Sequence, residues 1–331
     1  MNAAAETLLR AGKWQDFNQQ FGGAAVDLSN ARLAGANLSQ TRLVGANLDG
    51  ADLTGAQLRN TDLRRSSLRG TRLDRASFTH ANLGAARLVD LAAEDVVMDQ
   101  CSLPGVELSR LRGARWKLTH CTLRGARLDD VAFTEGRFDT LNLSECKGTQ
   151  LHLGGPTADR IDLAGSELLA LEWAIIAGEG LDLDGAQLGR LTANKALLGK
   201  VTMRGTQLGE LAGHESALVD SELLGSRVER LRLTRCLIGR TLLRQMTLLA
   251  VDLAGSELME VAFDRCTIAK LDVEGTRFLN SRVAHSTTTI GKHAGLAVGG
   301  QLELDDNAGF AALQQGIIFP KTRIFVDGKR A

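Results

Sequence analysis

The sequence lacks tyrosine, has only 3 prolines in 331 residues, and carries no net charge, with 39 Lys plus Arg and 39 Asp plus Glu. No apolar run approaches the roughly 18 residues of a membrane helix. The N-terminus MNAAAETLLR has no basic region followed by an apolar stretch, as a signal peptide would. HExxH, GxSxG, GxxxxGK(S/T) and GxGxxG motifs are absent as well. These absences predict a cytoplasmic, non-enzymatic protein without a cofactor.

Apolar residues instead recur at every fifth position. Of the 52 positions reached in steps of five from Leu28 to Val283, 45 hold Leu, Ile, Val, Met, Phe or Trp, and the others are Ala or Gly. The residues two before these centres, from Val26 to Ser281, are never charged. A helix repeats its buried face at about 3.6 residues and a strand at 2. The pattern therefore predicts a solenoid in which two residues of every five point inward.

The blocks read Ala-(Asp/Asn/Arg)-Leu-x-Gly, as in AGANLSQTRLVGANLDGADLTGAQLRNTDL. This pattern resembles the pentapeptide-repeat proteins, whose consensus is A(D/N)LXX, over residues 26–285. The resemblance implies an all-β fold, a right-handed quadrilateral β-helix in which four blocks of five form one square coil. About 13 such coils at the ~4.8 Å spacing of paired strands would make a rod on the order of 60 Å long.

A twenty-residue modulation supports the four-sided coil. Large residues two before a centre recur every twenty residues: Leu91, Leu111, Val131, Leu151, Leu171, Leu191, Leu211, Leu231, Val251 and Leu271. Several of the matching centres are reduced, as where Leu91 precedes Ala93 and Leu211 precedes Gly213. This exchange of large and small residues on one side keeps the core volume roughly constant, as close packing requires.

Two segments lie outside the repeat. Residues 1–25 carry Leu8, Trp14, Phe17 and Phe21 in a partly helical pattern, and Asn2 is placed to cap a first turn. Because the end coil of a solenoid exposes its core and its strand edges, we expect one or two short helices to cover it. Residues 286–331 form a non-repeat tail with a short helix after Asp306. That tail is a candidate cap or homodimer surface, through Phe310, Leu313, Ile317 and Ile318.

No metal or catalytic site is predicted. The five cysteines, Cys101, Cys121, Cys146, Cys236 and Cys266, all occupy inward positions and are interpreted as small apolar filler, although Cys101 and Cys121 stack one coil apart. The histidines are scattered on outward positions or in the tail. Carboxylates on an outer wall have no concave, desolvated site that would shift a pKa.

Charge separates the functions that the resemblance implies. Some pentapeptide-repeat proteins resemble duplex DNA in shape and negative charge, bind DNA gyrase and confer resistance to topoisomerase poisons. Here one wall reads Arg87, Glu107, Arg127, Lys147, Glu167, and Arg59, Arg64 and Arg69 project from three different faces. This mixed wall argues against DNA mimicry and against direct nucleic-acid binding. The sequence leaves open the alternative of a local acidic stripe.

Part of one outer wall loses its polarity. In the column just before the centres, Lys117 and Arg137 give way to Thr157, Ala177, Leu197, Ala217 and Leu237, and charge returns at Glu257 and Arg277. Val219 lies beside this column. We predict a partner-binding surface formed by Ala177, Leu197, Ala217, Val219 and Leu237.

The sequence thus predicts a non-enzymatic scaffold or adaptor, a rigid rod that binds a protein partner through its wall or an end. The alternatives are a gyrase- or topoisomerase-interacting DNA mimic and an accessory or effector-linked protein of a bacterial contractile (type VI) secretion system. Both alternatives rest on the family resemblance.

Overall fold

The computed structural model describes residues 2–290, 297–305, 323–326 and 329–330. It divides into two compact units, Met1–Leu168 and Leu169–Ala331. The fold is a β-solenoid of parallel stacked coils preceded by two short helices, which confirms the predicted all-β class. The predicted tail helix and its candidate dimer residues from Phe310 to Ile318 lie outside the described residues.

The first unit begins with helices α1 (Ala3–Arg10) and α2 (Trp14–Phe21). The predicted N-cap of α1 at Asn2 is confirmed, because the Asn2 side chain accepts a hydrogen bond from the Ala5 N–H at 3.0 Å. Leu9 of α1 and Phe17 of α2 are buried. No helix in the described ranges combines the length and the apolarity needed to cross a bilayer.

Side chains of the two helices complete the open edge of the first coil. The Arg42 N–H donates to Asn18 Oδ1 at 2.7 Å, and Asn18 Nδ2 donates to the Gln40 carbonyl at 2.9 Å. The Arg32 N–H donates to Glu6 Oε1 at 2.9 Å. These groups replace a preceding coil, since an unpaired strand edge is otherwise open to association.

Coils in the first unit pair with a spacing of twenty residues. From Asp27 to Ser67 the contacts are isolated parallel bridges, such as Asp27↔Asn47 and Arg32↔Asp52. Longer strands follow: β1 (Ser77–Thr79), β2 (Arg87–Glu94), β3 (Val97–Asp99), β4 (Glu107–Ala114), β5 (Lys117–Thr119), β6 (Arg127–Thr134), β7 (Arg137–Asn142) and β8 (Lys147–Asp162). Their pairing keeps the twenty-residue spacing, as in Arg87↔Glu107.

The five-residue beat has a backbone cause. In the first unit every fifth residue from Asn30 to Glu145 has a positive φ, which makes four left-handed corners per twenty-residue coil. Such a conformation costs roughly 1–2 kcal/mol for a residue with a Cβ. Each corner is held by a hydrogen bond to the next coil, as from the Gln40 N–H to the Arg59 carbonyl at 2.8 Å. A four-sided coil follows from these corners.

Asp or Asn before a centre stabilises the turn that follows it. Asn47 Oδ1 accepts from the Asp49 N–H, and Asp52 Oδ1 accepts from the Thr54 N–H, each at 3.0 Å. This is the Asx turn, in which a short polar side chain holds the backbone two residues on. The Ala-(Asp/Asn)-Leu consensus is therefore one inward side chain, one turn-forming side chain and one further inward side chain.

Strand β9 (Glu167–Asp182) begins two residues before the second unit, which then continues in the same manner. Its strands are β10 (Gln187–Asn194), β11 (Leu197–Gly199), β12 (Thr202–Arg204), β13 (Gln207–His214), β14 (Ala217–Val219), β15 (Glu222–Leu224), β16 (Arg227–Thr234), β17 (Leu237–Gly239), β18 (Leu242–Arg244), β19 (Thr247–Asp252), β20 (Glu257–Met259), β21 (Ala262–Asp264), β22 (Thr267–Asp272), β23 (Arg277–Ala284), β24 (Thr287–Ile290), β25 (Ala297–Asp305), β26 (Arg323–Val326) and β27 (Lys329–Arg330). β26 and β27 pair antiparallel, whereas β25 and β26 pair in parallel like the strands of the coils.

The predicted inward lattice is buried except at Gly148, Pro156 and Ile176. Ile176 is 72% exposed, and its neighbour Ile175 is fully buried in its place. The left-handed corner is absent at Gln150, Gly155, Ala170 and Ile175, within the two 16-residue strands β8 and β9. It is also absent along one column of the later coils, at Arg190, Glu210, Arg230, Ala250 and Lys270, where the inward lattice stays buried. Each of those later coils loses one corner, whereas β8 and β9 each lose two successive corners, and there the five-residue frame slips locally. The expectation of an unbroken frame is wrong at this point.

The coil number also differs slightly from the prediction. The solenoid has about 11 turns, against about 13 predicted. The first coil pairs with another coil on one side only, and the last one loses the twenty-residue register. There Leu271 lies opposite Ile290 and Ser281 opposite Leu302, which agrees with the loss of apolar centres after Val283.

Substitution of one inward residue should disrupt the stack. Leu128 is fully buried, and Leu128→Asp would place an unpaired charge in a dry core, at a cost of several kcal/mol. Asp129→Ala, one residue on and facing outward, should cost less than about 0.5 kcal/mol. Chemical denaturation would compare the two variants. Equal midpoints would contradict the inward lattice.

Removal of an edge partner should loosen the N-terminal end. Asn18→Ala leaves the Arg42 N–H and the Gln40 carbonyl without their partner, so we expect a loss of about 1 kcal/mol in the free energy of unfolding. Gln19→Ala, on the exposed face of the same helix, is the matched control and should be neutral. Amide hydrogen exchange at Arg42 would report the opening directly. Unchanged protection there would argue against the edge role of α2.

Candidate protein-contact surface

Four short strands of the second unit stack in register into one flat face. β11, β14, β17 and β20 each have three residues, of which the middle one is buried and the first and third lie on the outer side, where the glycines in third place, Gly199 and Gly239, are themselves buried. The buried middle residues are Leu198, Leu218, Ile238 and Leu258. Paired strands lie about 4.8 Å apart, so two parallel columns of outward side chains run across the coils.

The first column is the one that the sequence predicted. Leu197 lies opposite Ala217, and Ala217 lies opposite Leu237. Leu237 is 41% exposed and is followed by Glu257, where charge returns. Ala177 is exposed on β9, which pairs with β11 through Glu179↔Gly199. The structure thus brings Leu197, Ala217 and Leu237 into one line.

The second column was only partly predicted. Val219 pairs with Gly199 on one side and with Gly239 on the other, and Gly239 pairs with Met259. Gly239 is buried, and an added Cβ there would be in van der Waals contact with Val219 Cγ1, at 3.5 Å. The sequence signal for Gly199, Gly239 and Met259 was the same loss of charge at a spacing of twenty, read two residues further on.

We call the two columns together the apolar strip. Its members are Ala177, Leu197, Ala217 and Leu237 in the first column and Gly199, Val219, Gly239 and Met259 in the second. Two further exposed apolar residues, Leu169 and Ile176, lie on β9 near its extended corners and were missed by the prediction. The prediction missed Ile176 as an exposed residue because the five-residue pattern placed it inward.

Charged corner residues border the strip, and their signs alternate from coil to coil. The corner after the strands reads Lys200, Asp220, Arg240, Glu260, and the corner before them reads Lys195, Glu215, Arg235, Gly255. Arg240 donates to both oxygens of Asp220, at 2.5 and 2.8 Å, and it lowers the pKa of that carboxyl. Lys195 Nζ lies 3.9 Å from Glu215 Oε2.

The outer walls elsewhere are neutralised by pairs between coils. In the first unit Arg87 Nε lies 2.9 Å from Glu107 Oε2, and Asp90 contacts arginines on both neighbouring coils. In the second unit Arg190 Nε lies 2.9 Å from Glu210 Oε2. A phosphate mimic needs a carboxylate column without arginines, and these walls interleave the two.

The cysteines lie where the sequence placed them. All five are buried and free of disulfides. Burial raises the pKa of Cys266 to about 11 and that of Cys146 to about 12, and the pKa of the Cys101 thiol is raised by its hydrogen bond with Cys121 and by burial. The raised pKa makes Cys101, Cys146 and Cys266 poor nucleophiles at neutral pH. Among the residues that the structure describes, no group of His, Cys, Asp and Glu is arranged to hold a metal ion.

Comparison with known proteins matches the repeat itself. The model of the pentapeptide repeats matches residues 27–65 and 56–90, with 8 copies. Among solved structures, HetL, a pentapeptide repeat protein involved in heterocyst differentiation regulation from the cyanobacterium Nostoc, is 25% identical, covering 66% of this chain and 84% of HetL, with a TM-score of 0.29. QnrB1, a plasmid-mediated fluoroquinolone resistance protein, is 17% identical, covering 67% and 87%, with a TM-score of 0.23. No curated protein matches the chain.

Proposed function

We propose that this chain, a member of the pentapeptide-repeat family, is a non-enzymatic scaffold that binds a protein partner through the apolar strip. The observation that carries the proposal is the loss of outward charge on two adjacent columns over successive coils. Single exposed apolar residues are normal on protein surfaces. A contiguous, flat and charge-bordered set is typical of an interaction site instead.

Folding does not account for the strip. Its residues face outward, and the core beneath them is already formed by Leu198, Leu218, Ile238 and Leu258. The same sequence columns hold charged residues before and after it, such as Arg137 and Glu257. A polar residue is therefore compatible with this position in the coil, and the apolar side chains support a role in binding.

The paired walls disfavour the DNA-mimic alternative. A protein that imitates duplex DNA must present uncompensated negative charge, because its target recognises phosphates. Here carboxylates such as Glu107, Asp90 and Glu210 lie within ion-pair distance of arginines. A secretion-system component is among the partners that a capture experiment would identify.

Opposite charges placed on the strip should abolish partner binding without unfolding the protein. Leu197→Lys with Leu237→Glu changes two outward residues of one column, so the thermal midpoint should stay within a few degrees of wild type. Capture of the partner from the native cell should be lost. The matched control is Leu242→Lys with Leu224→Glu, two outward leucines of β18 and β15 on a neighbouring face. Equal capture by the strip variant and wild type would refute this site.

A gyrase assay tests the alternative function. Because the walls are neutral, purified protein at micromolar concentration should neither inhibit supercoiling by DNA gyrase nor protect the enzyme from a fluoroquinolone. Supercoiling and cleavage-complex assays over a dose series measure both effects. Dose-dependent protection would favour the topoisomerase function instead.

A further inference from the structure

We propose that the apolar strip binds a second copy of this chain in an antiparallel arrangement, about a two-fold axis between the coils of Ala217 and Leu237. This inference rests on the proposed function and names its partner. The axis lies in the interface and runs parallel to the strands, at right angles to the direction in which the coils stack. It therefore places each column against the same column of the other copy, in reverse order. The residues that then face one another can be read directly from the register.

The first consequence is that large residues meet small ones. Ala217 faces Leu237 of the second copy, and Leu237 faces Ala217. In the second column Val219 faces Gly239, and Met259 faces Gly199. In these contacts at the centre of the strip, the projecting side chain therefore lies over a position with little or no side chain. This alternation is what close packing of two flat faces requires.

The second consequence is that opposite charges meet along the corner that follows the strands. In reverse order Lys200 faces Glu260, and Asp220 faces Arg240 of the second copy. The Asp220–Arg240 pair within each chain then lies against the same pair reversed, so that four charges of alternating sign surround the axis. The corner before the strands agrees, because Glu215 faces Arg235.

The ends of the strip are also compatible. Leu197 faces Glu257 of the second copy, whose carboxylate is already 3.4 Å from Arg277 Nη1 within its own chain. Leu197 therefore contacts the ion pair and the aliphatic parts of the Glu257 and Arg277 side chains, and no unpaired charge is buried.

A parallel arrangement fails on the same residues. A two-fold axis along the stack would place the two corners of one coil against each other. Lys195 would then face Lys200, Glu215 would face Asp220, and Arg235 would face Arg240. Like charges would meet in three successive coils. Since juxtaposed like charges strongly disfavour a wrong arrangement, the sign pattern selects the antiparallel dimer.

The size of the surface indicates a weak dimer. From the coil of Ala177 to that of Arg277 the strip spans about 24 Å, at ~4.8 Å per coil. A face of this length and one coil side in width is smaller than the ~800 Å² per partner of a standard stable interface. We therefore expect association at micromolar concentration, which sedimentation velocity measures over a dilution series.

Two charge reversals test the arrangement. Asp220→Arg places a second guanidinium against Arg240 of the other copy, and Arg240→Asp places a second carboxylate against Asp220. Each variant alone should therefore have a dissociation constant at least about tenfold higher than wild type. In an equimolar mixture the two variants become complementary across the axis. Because the pair within each chain stays broken in the mixture, recovery of the dimer there reports a contact between chains.

The matched control is Asp90→Arg, which breaks an Asp–Arg pair of the same spacing in the first unit and should leave the dimer unchanged. A second readout is a disulfide between Leu197→Cys and Glu257→Cys chains, expected in the mixture and in neither variant alone. Circular dichroism checks that every variant is folded.

The outcomes separate this inference from the proposed function. A wild-type chain that stays monomeric at high micromolar concentration overturns self-association, and loss of partner capture by Leu197→Lys with Leu237→Glu would still support the strip as a site for another protein. A dimer that Asp220→Arg does not weaken, or that the mixture does not restore, forms elsewhere and also overturns the inference.

Discussion

The structure depends on the hydrogen-bond register between coils, which places each residue on the residue twenty positions away. The Leu28 N–H, for example, donates to the Asn47 carbonyl at 2.7 Å, and the Asn47 N–H donates to the Val26 carbonyl at 2.9 Å. A shift of this register by one residue would turn inward side chains outward for as long as the shift persisted. The fixed register therefore turns a sequence period into columns, and each column acquires its own chemistry.

Inward columns obey a narrow rule that sequence can reveal. A buried charge costs several kcal/mol, so no charge falls on the lattice, while most inward Ser and Thr are accepted because their hydroxyls reach a carbonyl. Ser166 is an exception, since its buried Oγ has no hydrogen-bond partner. Thr61 Oγ1 donates to the Leu38 carbonyl at 2.9 Å, and Ser256 Oγ donates to the Leu233 carbonyl at 2.7 Å. The coil, its corners and its inward residues were predictable for this reason. The Asn2 cap was predictable from local hydrogen bonding alone.

The slip at β8 and β9 was not predictable from the period. Ile175 and Ile176 are chemically identical neighbours, and which of them is buried depends on whether the corner residue adopts a left-handed φ. That choice is made by the whole coil, because a corner is held by its bond to the next coil. For the same reason the edge contacts of Glu6 and Asn18 were hidden, since they join residues 22 to 26 positions apart in a non-repeating segment.

Outward columns are where function leaves a readable mark. Folding asks only that an outward residue be tolerated by water, and on most columns of this chain charges of both signs meet that condition by pairing between coils, as Arg87 does with Glu107. Where two adjacent columns abandon charge together while their corners keep a regular alternation of sign, neither core packing nor solubility explains the pattern. The first column alone predicted a contact. Only the register places Gly239 beside Val219 and Arg240 beside Asp220. This placement gives a surface that is complementary to the same surface of a second copy in the antiparallel orientation.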